Sequence, residues 1–425
     1  MSAININQSL KYQKGSQRVY GEDTTLHKTK NQLKKIGVTR IADITHLDRV
    51  GIPVYSAIRP SAAKGAISVY SGKGVTPPQA KISAMMEGFE RCLAEKKEMN
   101  NNIKEGTPNT EFVDSYDNIT DTYNIVNPAK LLISEDVRTE DMIEWTSGWD
   151  LINNKEIYVP SNSVYHPYEP NDKCVKLFRS NTNGLAAGNV IEEAILHGLL
   201  EVVERDALSI AEMNRNPGQR LKLTREDGIS YELMQKFNDA NIDVRLWIPQ
   251  HDTGITTVIA SLDDVHLKDP AMLVMGAGTH LNPEIAVIRA LTEAAQSRVV
   301  QIHGAREDTE RDKFVRNIGY ERMKRMNSFW YKDKDIEIVT LEELNDFSQH
   351  SPVENINTVI DQLKNLVDNA IIVNLSRDSI DVPVVRVIIP TFEMYTLDRE
   401  RVGKRKNIAR KKWDKGEKTW NRRRV

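Results

Sequence analysis

Three stretches of the chain carry reactive side chains at one spacing. Ser83, Glu87 and Glu90 in KISAMMEGFERCLAEKK, His197, Glu201 and Glu204 in NVIEEAILHGLLEVVERDALS, and Arg289, Glu293 and Gln296 in PEIAVIRALTEAAQSRVVQIHG all stand at i, i+4 and i+7. On a helix turning about 100° per residue, such positions share one narrow ridge. The opposite sides hold Ile82, Met85, Met86, Phe89 and Leu93; Ile195, Leu199, Val202 and Val203; and Ile288, Thr292, Ala295 and Val299. Glu193 lies one turn earlier on the second ridge, whereas Glu192 points elsewhere.

A polar ridge at this spacing is ordinarily a solvent face. Here the flanks are small or apolar, as in GLAAG and SAMM, and lack the Lys and Glu of a washed surface, which predicts helices buried on most sides. Five glutamates would then crowd one volume, and they must protonate or be neutralised by Arg91, Arg205, Arg289 or metal ions. Carboxylates with few His and no Cys suit Mg²⁺, which uses one or two of them and completes its shell with water and phosphate oxygens. A nucleotide-metal site is the expectation. It must be an unconventional one, because GxxxxGK[ST] is absent, SVYSGKG lacks that spacing, and no kinase signature set occurs. HExxH is missing too, which disfavours zinc hydrolysis; for His197 a hydrogen bond to a neighbouring carboxylate is the plainer role.

The elements that position these helices read as an α/β mixture. TTLHKTKNQLKKIG predicts a capped helix over 24–37 ended by Gly37, and TRIADITHLDRVGIPVYSAIRP alternates like strands joined at a Gly-Pro turn. From the end of the first ridge helix to about residue 178 the Asn, Asp, Pro and Tyr content predicts strands and loops. Further on, a helix is expected near 228–241, strands at VRLWIPQ, TTVIASL and MLVMGAGTHL, a helix over 354–368, and buried strands at IIVNL and VPVVRVIIP. The densely charged 305–325 reads as a mobile segment.

With 425 residues the chain can hold two or three domains or one large unit. At 40% hydrophobic and 28% charged residues, and with no apolar run near the roughly 18 residues of a membrane span, a soluble protein is expected. The start, MSAININQSLKYQKG, has no secretory pattern, so a cytoplasmic location is expected. Cys92 and Cys174, far apart, read as core residues rather than a disulfide or thiolate site. The last 25 residues contain twelve Lys and Arg against Asp414 and Glu417, a net +10 within a chain of net -2. That tail is either a docking arm for an acidic partner or a solvated extension.

At these residues the sequence resembles the YcaO-domain family, through a Ser/Glu/Glu helix, an Asn-rich segment leading to a Glu/Glu/Arg helix, and an Arg/Glu/Gln helix. Here they stand as SAMMEGFER, SNTNGLAAGNVIEEAILHGLLEVVERDA and RALTEAAQSR, and the resemblance spans about Lys14 to Pro390. It implies an α+β fold with mixed sheets and long helices converging on an ATP site, and three parts: an N-terminal α/β segment (1–64), a catalytic domain (65–400) and the basic tail (401–425). It also implies ATP and Mg²⁺ as cofactors and activation of a peptide-backbone amide by phosphorylation of its oxygen. Carried over by position, Glu87, Glu90, Glu201 and Glu204 become metal residues. Glu87, Glu204 and Arg205 carry catalysis, and Ser83, Glu90, Asn189, Glu201, Arg205, Arg289 and Glu293 contact nucleotide or phosphate, with Gln296, Lys14 and Thr24 more loosely aligned. Azoline-forming members usually end in a proline-rich terminus, whereas this sequence reads TWNRRRV, which favours thioamide formation. The resemblance is strongest to archaeal proteins linked to the thioglycine of methyl-coenzyme M reductase, often acting with a TfuA partner, and it implies a homodimer. An azoline-forming cyclodehydratase and a non-catalytic nucleotide-binding scaffold are the alternatives.

Overall fold

The computed structural model describes residues 6–13, 17–96, 110–133, 136–305, 310–334 and 336–407. Three sheets form the frame. The first is an antiparallel run of β1 (Arg40–Asp43), β2 (Val54–Ile58) and β3 (Val69–Lys73). The second orders β4 (Thr110–Ser115), β5 (Met142–Asp150), β13 (Ile371–Asn374), β14 (Val384–Ile388) and β7 (Leu185–Ala187), with β6 (Lys155–Pro160) also paired to β5. The third orders β11 (Met275–His280), β10 (Thr256–Asp263), β9 (Asp243–Ile248), β8 (Gln219–Lys222) and β12 (Ile338–Thr340), antiparallel except for the parallel β8–β12 pair. The helices are α1 (Glu22–Lys30), α2 (Pro77–Leu93), the single turn α3 (Tyr116–Ile119), α4 (Ile191–Asn214), α5 (Gly228–Asp239), α6 (Pro283–His303), α7 (Glu310–Ile318), α8 (Tyr320–Met326) and α9 (Pro352–Leu363). The fold is the expected mixed α+β arrangement.

Each ridge helix rests its apolar side on a different sheet. Met85 and Phe89 of α2 are buried with Tyr70 and Val159; Ile195, Leu199 and Val203 of α4 with Val385 and Val387; Ala286, Ala290 and Ala294 of α6 with Val258 and Ala260. Two of these contacts are backbone-close. A Cβ on Gly72 would sit 1.9 Å from the Ala84 nitrogen, and one on Gly276 would sit 2.2 Å from the Ala294 nitrogen. Only a residue without a side chain permits that approach. The helix starts are set by sequence: Pro77 follows the Thr76 cap, and Asn282 accepts from the Ile285 N–H at 3.1 Å ahead of Pro283.

Several expectations change here. The 24–37 helix breaks into α1 and a 3₁₀ turn, Leu33–Ile36, before Gly37 at φ 76°. Leu33 and Ile36, three apart, are both buried, and the 3₁₀ turn aligns such a pair on one side. On either side of residue 64, β2 and β3 pair from Val54↔Lys73 to Ile58↔Val69. Of the charged 305–325 stretch, 306–309 lies outside the described residues and the rest contains α7 and α8, the latter held by Tyr320 donating to Asp263 at 2.6 Å and by Lys324 beside the same carboxylate. Of the basic tail, 408–425 lies outside the described residues; at its beginning Val402, Lys404 and Asn407 are exposed, but Arg401 and Arg405 are buried. Arg405 is buried against Asp206 and Asp252, and the Glu393 carboxylate accepts the Gly403 and Arg405 N–H groups at 2.6 and 2.8 Å. Cys92 is buried and Cys174 half-buried, both free. Among the described residues no helix is long and apolar enough to cross a membrane.

Candidate active site

The three polar ridges face one cavity of about 1350 Å³. Its wall includes Ser83, Glu87 and Glu90 from α2; Glu193, His197, Glu201, Glu204 and Arg205 from α4; and Arg289, Glu293 and Gln296 from α6. The shared spacing thus reflects a shared destination. Because the sheets cover the apolar sides, the carboxylates reach only the cavity, and Glu204 is 2% exposed.

Crowding perturbs these acids. Burial, reinforced by Glu87 and Glu201, holds the Glu90 carboxyl well above its ordinary value, although its Oε1 accepts the Ala187 N–H at 2.9 Å. Burial also pushes Glu201 up to about 7, against the attraction of Arg205. Glu204 is raised by burial and by Glu293. Glu293 goes the other way: burial opposes its charge, but Lys73, which hydrogen-bonds it, together with Arg205 and Arg289, holds it below the ordinary carboxylate range. Burial and the Arg289 charge hold His197 well below its usual value, so it is neutral, and no hydrogen bond to a carboxylate is made by it among the described residues. Its expected partner is therefore not found.

Some site residues are already committed. Glu87 accepts from Arg91 at 2.9 Å. Gln296 donates to the backbone oxygen of Ser71 and to its hydroxyl, the latter at 2.9 Å, and so ties α6 to β3. The Asn189 carboxamide donates to Glu193 at 3.0 Å and accepts from Thr25 at 2.8 Å. Glu193 also takes the Val19 N–H at 2.6 Å, fastening the N-terminal segment across the start of α4; Glu192, off the cavity as expected, does the same for Asn7.

Other groups are waiting for partners. Glu204 Oε2, Arg205 Nε and Arg289 Nε are buried with no hydrogen bond among the described residues. Buried orphans of opposite sign on one cavity wall are a costly arrangement unless a ligand satisfies them. An ion with its phosphates does so, the carboxylate oxygen turning to metal and the guanidinium N–H groups to phosphate oxygens. No group of three or more His, Cys, Asp and Glu among the described residues is placed to hold an ion. The donor set instead suits an ion that takes one or two carboxylates and completes its shell elsewhere, which is the habit of Mg²⁺ with a nucleotide.

Lys14 lies outside the described residues, and Thr24 is exposed on α1, off the cavity. One residue turns a helix by about 100°, and it is Thr25 that is buried and reaches Asn189. Residue reading also missed Lys73 as a site group. The signal was the alternation of β3, which sends Ser71 and Lys73 to one face with Gly72 against α2 between them.

Residues 71–393 match the family model described as YcaO cyclodehydratase, ATP- and Mg²⁺-binding. An uncharacterized protein of Methanothermobacter thermautotrophicus is 48% identical over 90% of this chain and 96% of its own length. An uncharacterized protein encoded in the tfuA 3′ region of Rhizobium leguminosarum bv. trifolii is 32% identical over 65% of each chain. The structure of YcaO from Methanopyrus kandleri bound with AMPPCP and Mg²⁺ superposes with a TM-score of 0.72 at 30% identity, covering 91% of this chain and 95% of that one. The chain therefore belongs to the YcaO family, whose members are described as cyclodehydratases that bind ATP and Mg²⁺.

Proposed function

We propose that this protein activates a peptide-backbone amide with ATP and converts it to a thioamide, with a glycine of the methyl-coenzyme M reductase alpha subunit as substrate and hydrosulfide as the sulfur nucleophile. The observation that carries the site assignment is the set of buried, unpartnered groups Glu204 Oε2, Arg205 Nε and Arg289 Nε on one cavity wall. Kinship with proteins of Methanothermobacter and Methanopyrus, and with a protein encoded beside tfuA, supports the substrate and a TfuA-like sulfide-delivery partner.

ATP and Mg²⁺, when bound, supply the phosphoryl group that turns a poor amide-oxygen leaving group into phosphate, with the metal neutralising the moving charge. The protein's part is placement. Of the four acids that the resemblance assigns to the metal, Glu201 and Glu204 would hold the ion, and Glu87 and Glu90 would join them only by giving up Arg91 and the Ala187 N–H; Ser83, Asn189, Arg205, Arg289 and Glu293 would orient nucleotide and phosphate. In the balance, sulfur adds to the amide carbon, the carbonyl oxygen departs on phosphate, and ADP remains.

The test is phosphate release with peptide and hydrosulfide both present, and its loss in Glu87→Gln and Glu204→Gln. Turnover unaffected by both substitutions would remove the site assignment. Intact mass of the peptide decides the reaction: exchange of O for S adds about 16 Da, whereas a loss of about 18 Da identifies azoline formation after the same amide activation.

A further inference from the structure

Beside α4, Arg386 of β14 and Arg401 of the C-terminal segment line a second pocket of about 40 Å³. A buried water needs roughly 10–15 Å³ measured this way, so the space suits a few waters or one ion of halide size. The lining includes Lys130, Arg386 and Arg401 and no carboxylate. Lys130 is engaged outside, with Asp368 at 2.6 Å. Arg386 and Arg401 are 4% and 7% exposed.

Their hydrogen bonding is incomplete. Arg386 donates through Nη2 to Asn181 at 3.3 Å, leaving Nε and Nη1 without partners. Arg401 donates through Nε and Nη2 to the Leu132 and Leu131 carbonyls at 3.2 and 2.5 Å and stacks on Phe178, its Cζ 3.8 Å from the ring centre, leaving Nη1 without a partner. Glu201 offsets part of the Arg386 charge and Asp398 part of that of Arg401, but none of the three unpartnered N–H groups meets a carboxylate. Burial already holds both guanidiniums down to about 10. An anion would accept from these N–H groups and ease the repulsion between the two guanidiniums.

We propose that this pocket binds one small monovalent anion, of chloride or hydrosulfide size, between Arg386 and Arg401. Val202 and Phe392 supply apolar wall, which favours a weakly hydrated ion. The chloride arm of the test is independent of the thioamidation reading; the hydrosulfide arm bears on the link to sulfur supply.

The nucleotide-free protein is titrated with sodium chloride or sodium hydrosulfide, sodium gluconate holding ionic strength constant, and Tm is followed. A saturating rise in Tm with either anion, absent in Arg386→Met and Arg401→Gln, is the expected result. A bromide soak should place an anomalous peak between the two guanidiniums, which keeps the test decisive if Arg386→Met does not fold. No rise with either anion, a rise that both substitutions leave intact, or only water in the soaked pocket overturns the proposal.

Discussion

Glu201→Gln tests the electrostatics of the ridge most sharply, because its effect on stability should depend on pH and oppose its effect on function. In the folded chain burial lifts the Glu201 carboxyl from 4.5 to about 7, with the pull of Arg205, Arg386 and Arg289 already included. A raised carboxyl contributes stability that is fully present below the ordinary value and lost as pH rises through the folded one. At pH 8 the folded protein therefore carries a disfavoured charge worth about 3 kcal/mol, taking about 1.4 kcal/mol per pH unit. Glutamine keeps the shape and cannot ionise. Denaturant unfolding of the nucleotide-free protein should show Glu201→Gln near wild type at pH 5 and more stable by up to about 3 kcal/mol at pH 8. The same variant should lose the stabilisation that ATP and Mg²⁺ confer at pH 8. Equal effects of the substitution at both pH values, or destabilisation confined to pH 8, would refute the reasoning.

Gly276→Ala drives a Cβ to 2.2 Å from the Ala294 nitrogen and should lower Tm by an amount corresponding to about 1–3 kcal/mol, read by calorimetry. Arg298, fully buried, bridges α6 to Asp48 at 2.8 and 3.0 Å and to Asp264 at 3.2 Å; Arg298→Met should cost about 3–5 kcal/mol in denaturant unfolding by stranding those carboxylates. Thr25→Val breaks the bond to Asn189 and should raise KM for ATP, whereas the exposed Thr24→Val should leave it unchanged in the same phosphate-release assay.

The ridges were readable in the sequence because helical spacing is a local property. Four- and seven-residue intervals fix which side chains share a face, and the small, apolar neighbours of Glu90 and Glu201 marked those faces as enclosed. Glycines at 72 and 276 were visible too, but not what they pressed against. The partners were beyond such reasoning. Lys73 reaches Glu293 across 220 residues, Thr25 reaches Asn189 across 164, and Arg405 reaches Asp206 across 199. No period records these separations, which depend on how sheets stack.

By itself, then, the sequence determined the helices, their charged ridges and an oxygen-rich donor set suited to Mg²⁺, all consequences of backbone geometry and side-chain chemistry within a few turns. Only the tertiary structure decided that the ridges face one another, that Thr25 rather than Thr24 turns inward, and that Arg401 and Arg405 at the start of the tail are buried. It also set which acids are free for a ligand and which are spent on Arg91 or on backbone amides, because burial and proximity of distant charges fix both ionisation and hydrogen bonding.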